Sequence, residues 1–285
     1  MTLTSSLLIF ALQVGPNPSA ANTLGVPDEL RNRPPRQEQE LSIEQDPATR
    51  WLSECLAMLP EQAARAHSLA QVRRNESSGR TRILANHCLG LAATELGLWD
   101  DAITAFTAAR DEIPSEEVRA KARFGAMAGN AAFAAQDLQQ SSVILRQAKA
   151  DAQAAASAPM QAIASSDLAR VLVALQRDEE ALVELNVATQ LVPDEAGLWL
   201  LKATLLRRLE RLEEAQTAIE KASQLASASA PVGLEAGVIA ILSGREEAAR
   251  TSWQSVIDLA PQSPEALTAQ DYLAQIGPAE QAEAP

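Results

Sequence analysis

His67, His87, Cys55 and Cys88 are the residues of this chain with the widest reactive repertoire. A histidine can serve as a general base or a metal ligand. Neither of these belongs to an H-E-x-x-H arrangement, and no Cys or His stands at metal-ligand spacing. Glycine-rich phosphate loops and a G-x-S-x-G elbow are absent. Carboxylate pairs do occur, at Glu179-Glu180, Glu213-Glu214 and Glu246-Glu247, each opening a segment of helical periodicity. Carboxylates at a helix N-terminus are favoured by the helix dipole, so a structural role accounts for them without acid–base chemistry. The sequence therefore predicts no catalytic residues, no cofactor and no metal, with both histidines as packing or surface residues.

Composition narrows the partners further. A formal charge of −13 argues against a nucleic-acid binder, which must neutralise phosphates with Lys and Arg, and against docking to an anionic membrane surface. Alanine is the commonest apolar residue and aromatics are few. That mixture suits closely approaching helices better than strands.

The elements that must carry any site repeat along the chain. Between Met160 and Pro261 a shift of 34 residues superposes Ala169, Ala203 and Gly237; Ala181, Ala215 and Ala249; and Leu191, Leu225 and Leu259. A fixed period in this range marks stacked two-helix units, each of which must bury its apolar face against the next. The clearest single copy runs from Ile83 to Glu116, with Leu89-Gly90, Ala93, Gly97, Ala102, Phe106, Ala109 and Pro114. This pattern resembles the tetratricopeptide repeat, whose small residues at places eight, twenty and twenty-seven lie where helices come closest. The resemblance implies an all-α, right-handed superhelical solenoid of five to six antiparallel helix pairs plus a C-terminal capping helix. Departures occur: Lys202 where Leu is usual, Ser165 and Gly233 where a bulky residue is usual, and Ser141 where Ala is usual.

Six regions follow. Residues 1–21 carry the apolar stretch Leu7 to Val14, then Ser19-Ala20-Ala21. They read as a secretory signal, which would place the protein in the bacterial periplasm or outside the cell, or as a disordered leader of a cytoplasmic chain. Residues 22–46 are a polar, proline-bearing linker, and 47–82 a degenerate first repeat. Repeats are expected over 83–116, 122–155, 162–195, 196–229 and 230–263, the second of them with five extra residues in its first helix. A capping helix over 264–276 and an acidic tail over 277–285 complete the chain. No segment is apolar for long enough to span a bilayer. Cys55 and Cys88 fall on the first helices of adjacent units. An exported chain would pair them as a disulfide; a cytoplasmic one would keep two buried thiols.

The resemblance also implies a binding surface. In tetratricopeptide proteins the first helices line a concave groove that takes an extended peptide or a partner helix. Places two, five, nine, twelve and thirteen point into it. Here those places include His87, Arg123, Asn130, Arg170, Thr204, Arg207 and Arg208, with apolar residues such as Val238 and Leu242 toward the C-terminal end. The arginines would either make a basic floor for an acidic or carboxylate-bearing peptide or be neutralised by neighbouring glutamates. The Lys/Asn carboxylate clamp of co-chaperone relatives is not reproduced, since only Asn130 matches it. The function expected is a non-catalytic protein-interaction scaffold. The alternatives are a self-associating assembly factor and an enzyme with its site in the groove.

Overall fold

A computed structural model describes residues 46–277. The leader, the linker up to Gln45 and the tail after Gly277 lie outside the described residues, and with them the expected export signal.

Thirteen α-helices and no strand make up the described residues. The described residues open with α1 (Pro47–Ala57) and α2 (Leu59–Asn75), then continue as five pairs. These are α3 (Gly79–Glu95) with α4 (Trp99–Glu112), α5 (Val118–Ala134) with α6 (Leu138–Ala154), and α7 (Ala158–Ala174) with α8 (Asp178–Leu191). After them come α9 (Ala196–Arg208) with α10 (Leu212–Leu225) and α11 (Ala230–Leu242) with α12 (Glu246–Leu259), and α13 (Pro264–Ile276) closes the series. Every substantial contact joins helices adjacent or next-but-one in order. The result is a solenoid in which each unit leans only on its neighbours.

Small residues let the helices approach. Ala102, Ala109, Ala181, Ala188, Ala215, Ala222 and Ala249 are fully buried. At Gly90 the ring of Phe106 occupies the space a Cβ would need, and at Gly237 the ring of Trp253 does the same. Each large residue on a second helix thus sits directly on the glycine of its partner helix. Ser141, in an alanine place, is accommodated because its hydroxyl donates to the Gly129 carbonyl at 2.7 Å. Lys202 lays its stem along Trp199, with Nζ 5.1 Å from the ring centroid.

Unit lengths differ from the expected register. Helices α3, α5 and α7 are each 17 residues long, against 13 for α9 and α11. They begin at Gly79, Val118 and Ala158, ahead of the anticipated starts at 83, 122 and 162. Helix α6 is also 17 residues long, so the extra residues of that unit lengthen both of its helices rather than the first alone. The extra turns extend helices past the packed places, where the repeat pattern is blind to them. Asp46 stands at the N-cap of α1, but its carboxylate accepts from the Thr49 hydroxyl at 3.3 Å instead of from a backbone N–H.

No helix among the described residues is long and apolar enough to cross a membrane.

Candidate functional site

The groove-facing residues expected from the sequence divide into three groups. Nearest the N-terminus, His87 on α3 meets Phe124 on α5 edge-on, with ring centroids 5.2 Å apart. Arg123 lies over the same ring, its guanidinium carbon 5.0 Å from the centroid. His87 is packed against the neighbouring first helix and is partly buried. Burial first, and the Arg123 charge second, push its pKa down to about 4.

That shift has a consequence for stability. An unfolded histidine titrates near 6.5, so below that pH the unfolded chain takes up the proton first. The stabilisation from neutral His87 is complete above about pH 6.5 and is lost progressively down to about pH 4, on the order of 3 kcal/mol. Urea unfolding midpoints at about pH 7 and about pH 4.5 should differ less in His87→Phe than in the unmodified protein. An equal fall in both would contradict the assignment.

The second group is neutralised within the protein. Asn130 on α5 donates to the Asp167 carboxylate of α7 at 2.8 Å. Arg207 on α9 donates through Nε to Glu235 on α11 at 2.6 Å, and both side chains are mostly buried. Arg207 therefore bridges two first helices, and its charge there is neutralised by Glu235 rather than left as part of a continuous basic floor.

The third group surrounds a cavity of about 270 Å³ between α7 and α9. Leu185 of α8 is its floor, Phe133 and Val173 form one wall, and Leu201 and Leu205 the other. Arg170, Thr204 and Arg208 are set around its mouth. Both arginines are paired with acids. Arg170 hydrogen-bonds Asp167, and Arg208 stands 3.6 Å from Asp178. The acids lie beneath, Asp167 buried and Asp178 largely so, while Arg170 and Arg208 keep 49% and 46% of their side chains exposed. A guanidinium carries five N–H donors, so each arginine retains donors for a further acceptor. The Thr204 hydroxyl has no hydrogen-bond partner among the described residues. The arrangement can bury an apolar side chain and hold an adjacent carboxylate by charge-assisted hydrogen bonds.

Asp167 and Asp178 were not singled out from the sequence. Asp178 opens the acidic run Asp178-Glu179-Glu180 and reads as a dipole-favoured helix start; its reach to Arg208 depends on the stacking of the next unit. Cys55 of α1 and Cys88 of α3 are joined as a disulfide, away from this cavity. No group of three His, Cys, Asp or Glu side chains among the described residues is placed to hold a metal ion.

No family model matches the chain, and no curated protein matches it. Solved structures do. PilF of Pseudomonas aeruginosa is 15% identical with a TM-score of 0.60, covering 79% of this chain and 97% of its own. MamA of Desulfovibrio magneticus RS-1 is 16% identical with a TM-score of 0.54, covering 66% and 99%. YrrB, a tetratricopeptide-repeat protein, is 18% identical with a TM-score of 0.50, covering 66% and 91%. The fold is thus the tetratricopeptide-repeat solenoid.

Proposed function

We propose that the protein is a non-catalytic interaction scaffold that binds a segment of a partner protein in the concave groove of its solenoid. The observation that carries this is the cavity between α7 and α9, apolar inside and rimmed by two arginines with donors to spare. Binding there would release water from apolar surface and add charge-assisted bonds to a carboxylate. YrrB, one of the proteins sharing the fold, is described as having an unusual peptide-binding site, which supports the same use of this one.

Thr204→Trp tests the reading. The residue is half-buried at the cavity and its hydroxyl is unpartnered, so the substitution fills the cavity while leaving the helices intact, as circular dichroism would check. Proteins enriched on the immobilised unmodified chain should be lost from the Thr204→Trp variant and from Arg208→Glu, with affinity for a purified partner falling at least about tenfold. Retention of the same partners at the same affinity by both variants would sink the proposal.

A further inference from the structure

The α7–α9 cavity has a counterpart two units further on. Between α11 and α13, Val238, Ile241 and Leu242 face Tyr272, Gln275 and Ile276 across a second cavity, of about 260 Å³. Its floor is Trp253, which holds the same place in α12 that Leu185 holds in α8. With Ala169, Ala203 and Gly237 in register, Val238 stands where Arg170 and Thr204 stand in the earlier units. The same cleft therefore recurs with its charged rim replaced by apolar residues. The junction between the two is closed, because the Arg207–Glu235 ion pair crosses from α9 to α11 there.

We propose that the two cavities act together on one acidic, extended partner segment. The α7–α9 cleft takes an apolar side chain flanked by a carboxylate, and the α11–α13 cleft takes a second, uncharged apolar or aromatic side chain. This rests on the groove reading above and specifies what the groove selects. Charge complementarity assigns the ends: the first cleft has arginine donors at its mouth, and the second has no charged residue in its lining. An extended backbone arrives with unpaired N–H and C=O groups. Thr204 and Gln275, neither with a hydrogen-bond partner among the described residues, stand at the two clefts to meet them.

The geometry sets a spacing. Packed helices lie about 8–10 Å apart, so two steps along the first helices separate the clefts by about 16–20 Å. An extended chain rises about 3.3 Å per residue, which puts the two anchors about five or six residues apart. A helical partner would need about eleven to thirteen residues for the same span.

The test uses the full chain and fluorescein-labelled peptides in which Glu-Leu-Glu is joined to a second leucine by Gly/Ser spacers of graded length. A peptide carrying Glu-Leu-Glu alone is the reference. Fluorescence anisotropy should show the tightest binding with the leucines about five or six residues apart. The gain over the single-anchor peptide should be about tenfold, the weight of burying one leucine side chain. Leu242 is 54% exposed, so Leu242→Glu leaves the fold intact. That variant should erase the gain and the spacing dependence but keep the affinity for the single-anchor peptide. Binding indifferent to spacing and to Leu242→Glu would overturn the two-cleft proposal while leaving the groove reading standing. An optimum near twelve residues would overturn the extended partner. A sedimenting dimer that Leu242→Glu converts to monomer would overturn it as well, by giving the second cleft to another copy of the chain.

Discussion

Replacing Cys55 and Cys88 by alanine is expected to cost the N-terminal helices about 3–4 kcal/mol, by the loop-closure entropy that a cross-link of this span removes from the unfolded chain. The bond joins α1 to α3 across a sequence separation of 33 residues. The rest of the hold on α1 is thin: of its 11 residues only Ala48 and Cys55 are buried, with Trp51, Leu52 and Leu56 packed there partly exposed. A helix that short is marginal without tertiary support. Helix α2 adds only Ala66 and Ala70 to the buried set and is interrupted near its start, where Gln62 leaves helical geometry. Both cysteines are inaccessible to solvent, so a reductant reaches the bond only after the helices open. The loss should therefore be local. Native-state hydrogen exchange should show amides of α1 and α2 losing protection in the double variant, with those of α7 to α10 unchanged. A uniform loss along the chain would contradict the nearest-neighbour account.

Trp253→Ala is expected to do the corresponding damage at the other end, about 3–5 kcal/mol for emptying a buried aromatic site. Trp253 is 2% exposed and lies over Gly237. Its Nε1 donates to the Leu234 carbonyl at 3.2 Å, and its ring is 5.2 Å from that of Tyr272. One side chain thus holds α11, α12 and α13 together. Because stability in a solenoid is close to a sum over units and their junctions, the variant should melt in two steps. The last three helices should go first and the remainder near the original temperature, read by circular dichroism together with hydrogen exchange. A single transition shifted as a whole would show that the units unfold as one.

The repeat was legible because its causes are local. Gly90 with Phe106 and Ala169 with Ala203 and Gly237 recur wherever two helices must touch, and the contacts they make lie within one unit or the next. The unit lengths were less so. The additional turns of α3, α5 and α7 extend beyond the packed places, so no recurring residue announces them. Arg170, Arg207 and Arg208 all stood at groove places and were indistinguishable in sequence. The structure separates them: Arg207 is spent on Glu235, while Arg170 and Arg208 overlie aspartates and keep half their surface free. His87, assigned to the groove by its place, is instead wedged against Phe124.

By itself the amino-acid order determined that this protein is a stack of helix pairs, because small and large side chains alternate at intervals that only such a stack satisfies. Only the tertiary structure decided where the stack is open. Each cleft is walled by side chains from successive first helices and floored by the second helix between them, so whether it stays empty or is bridged depends on groups 28 or more residues apart, as with Arg207 and Glu235. Short-range packing sets the period; longer-range pairing sets the binding surface.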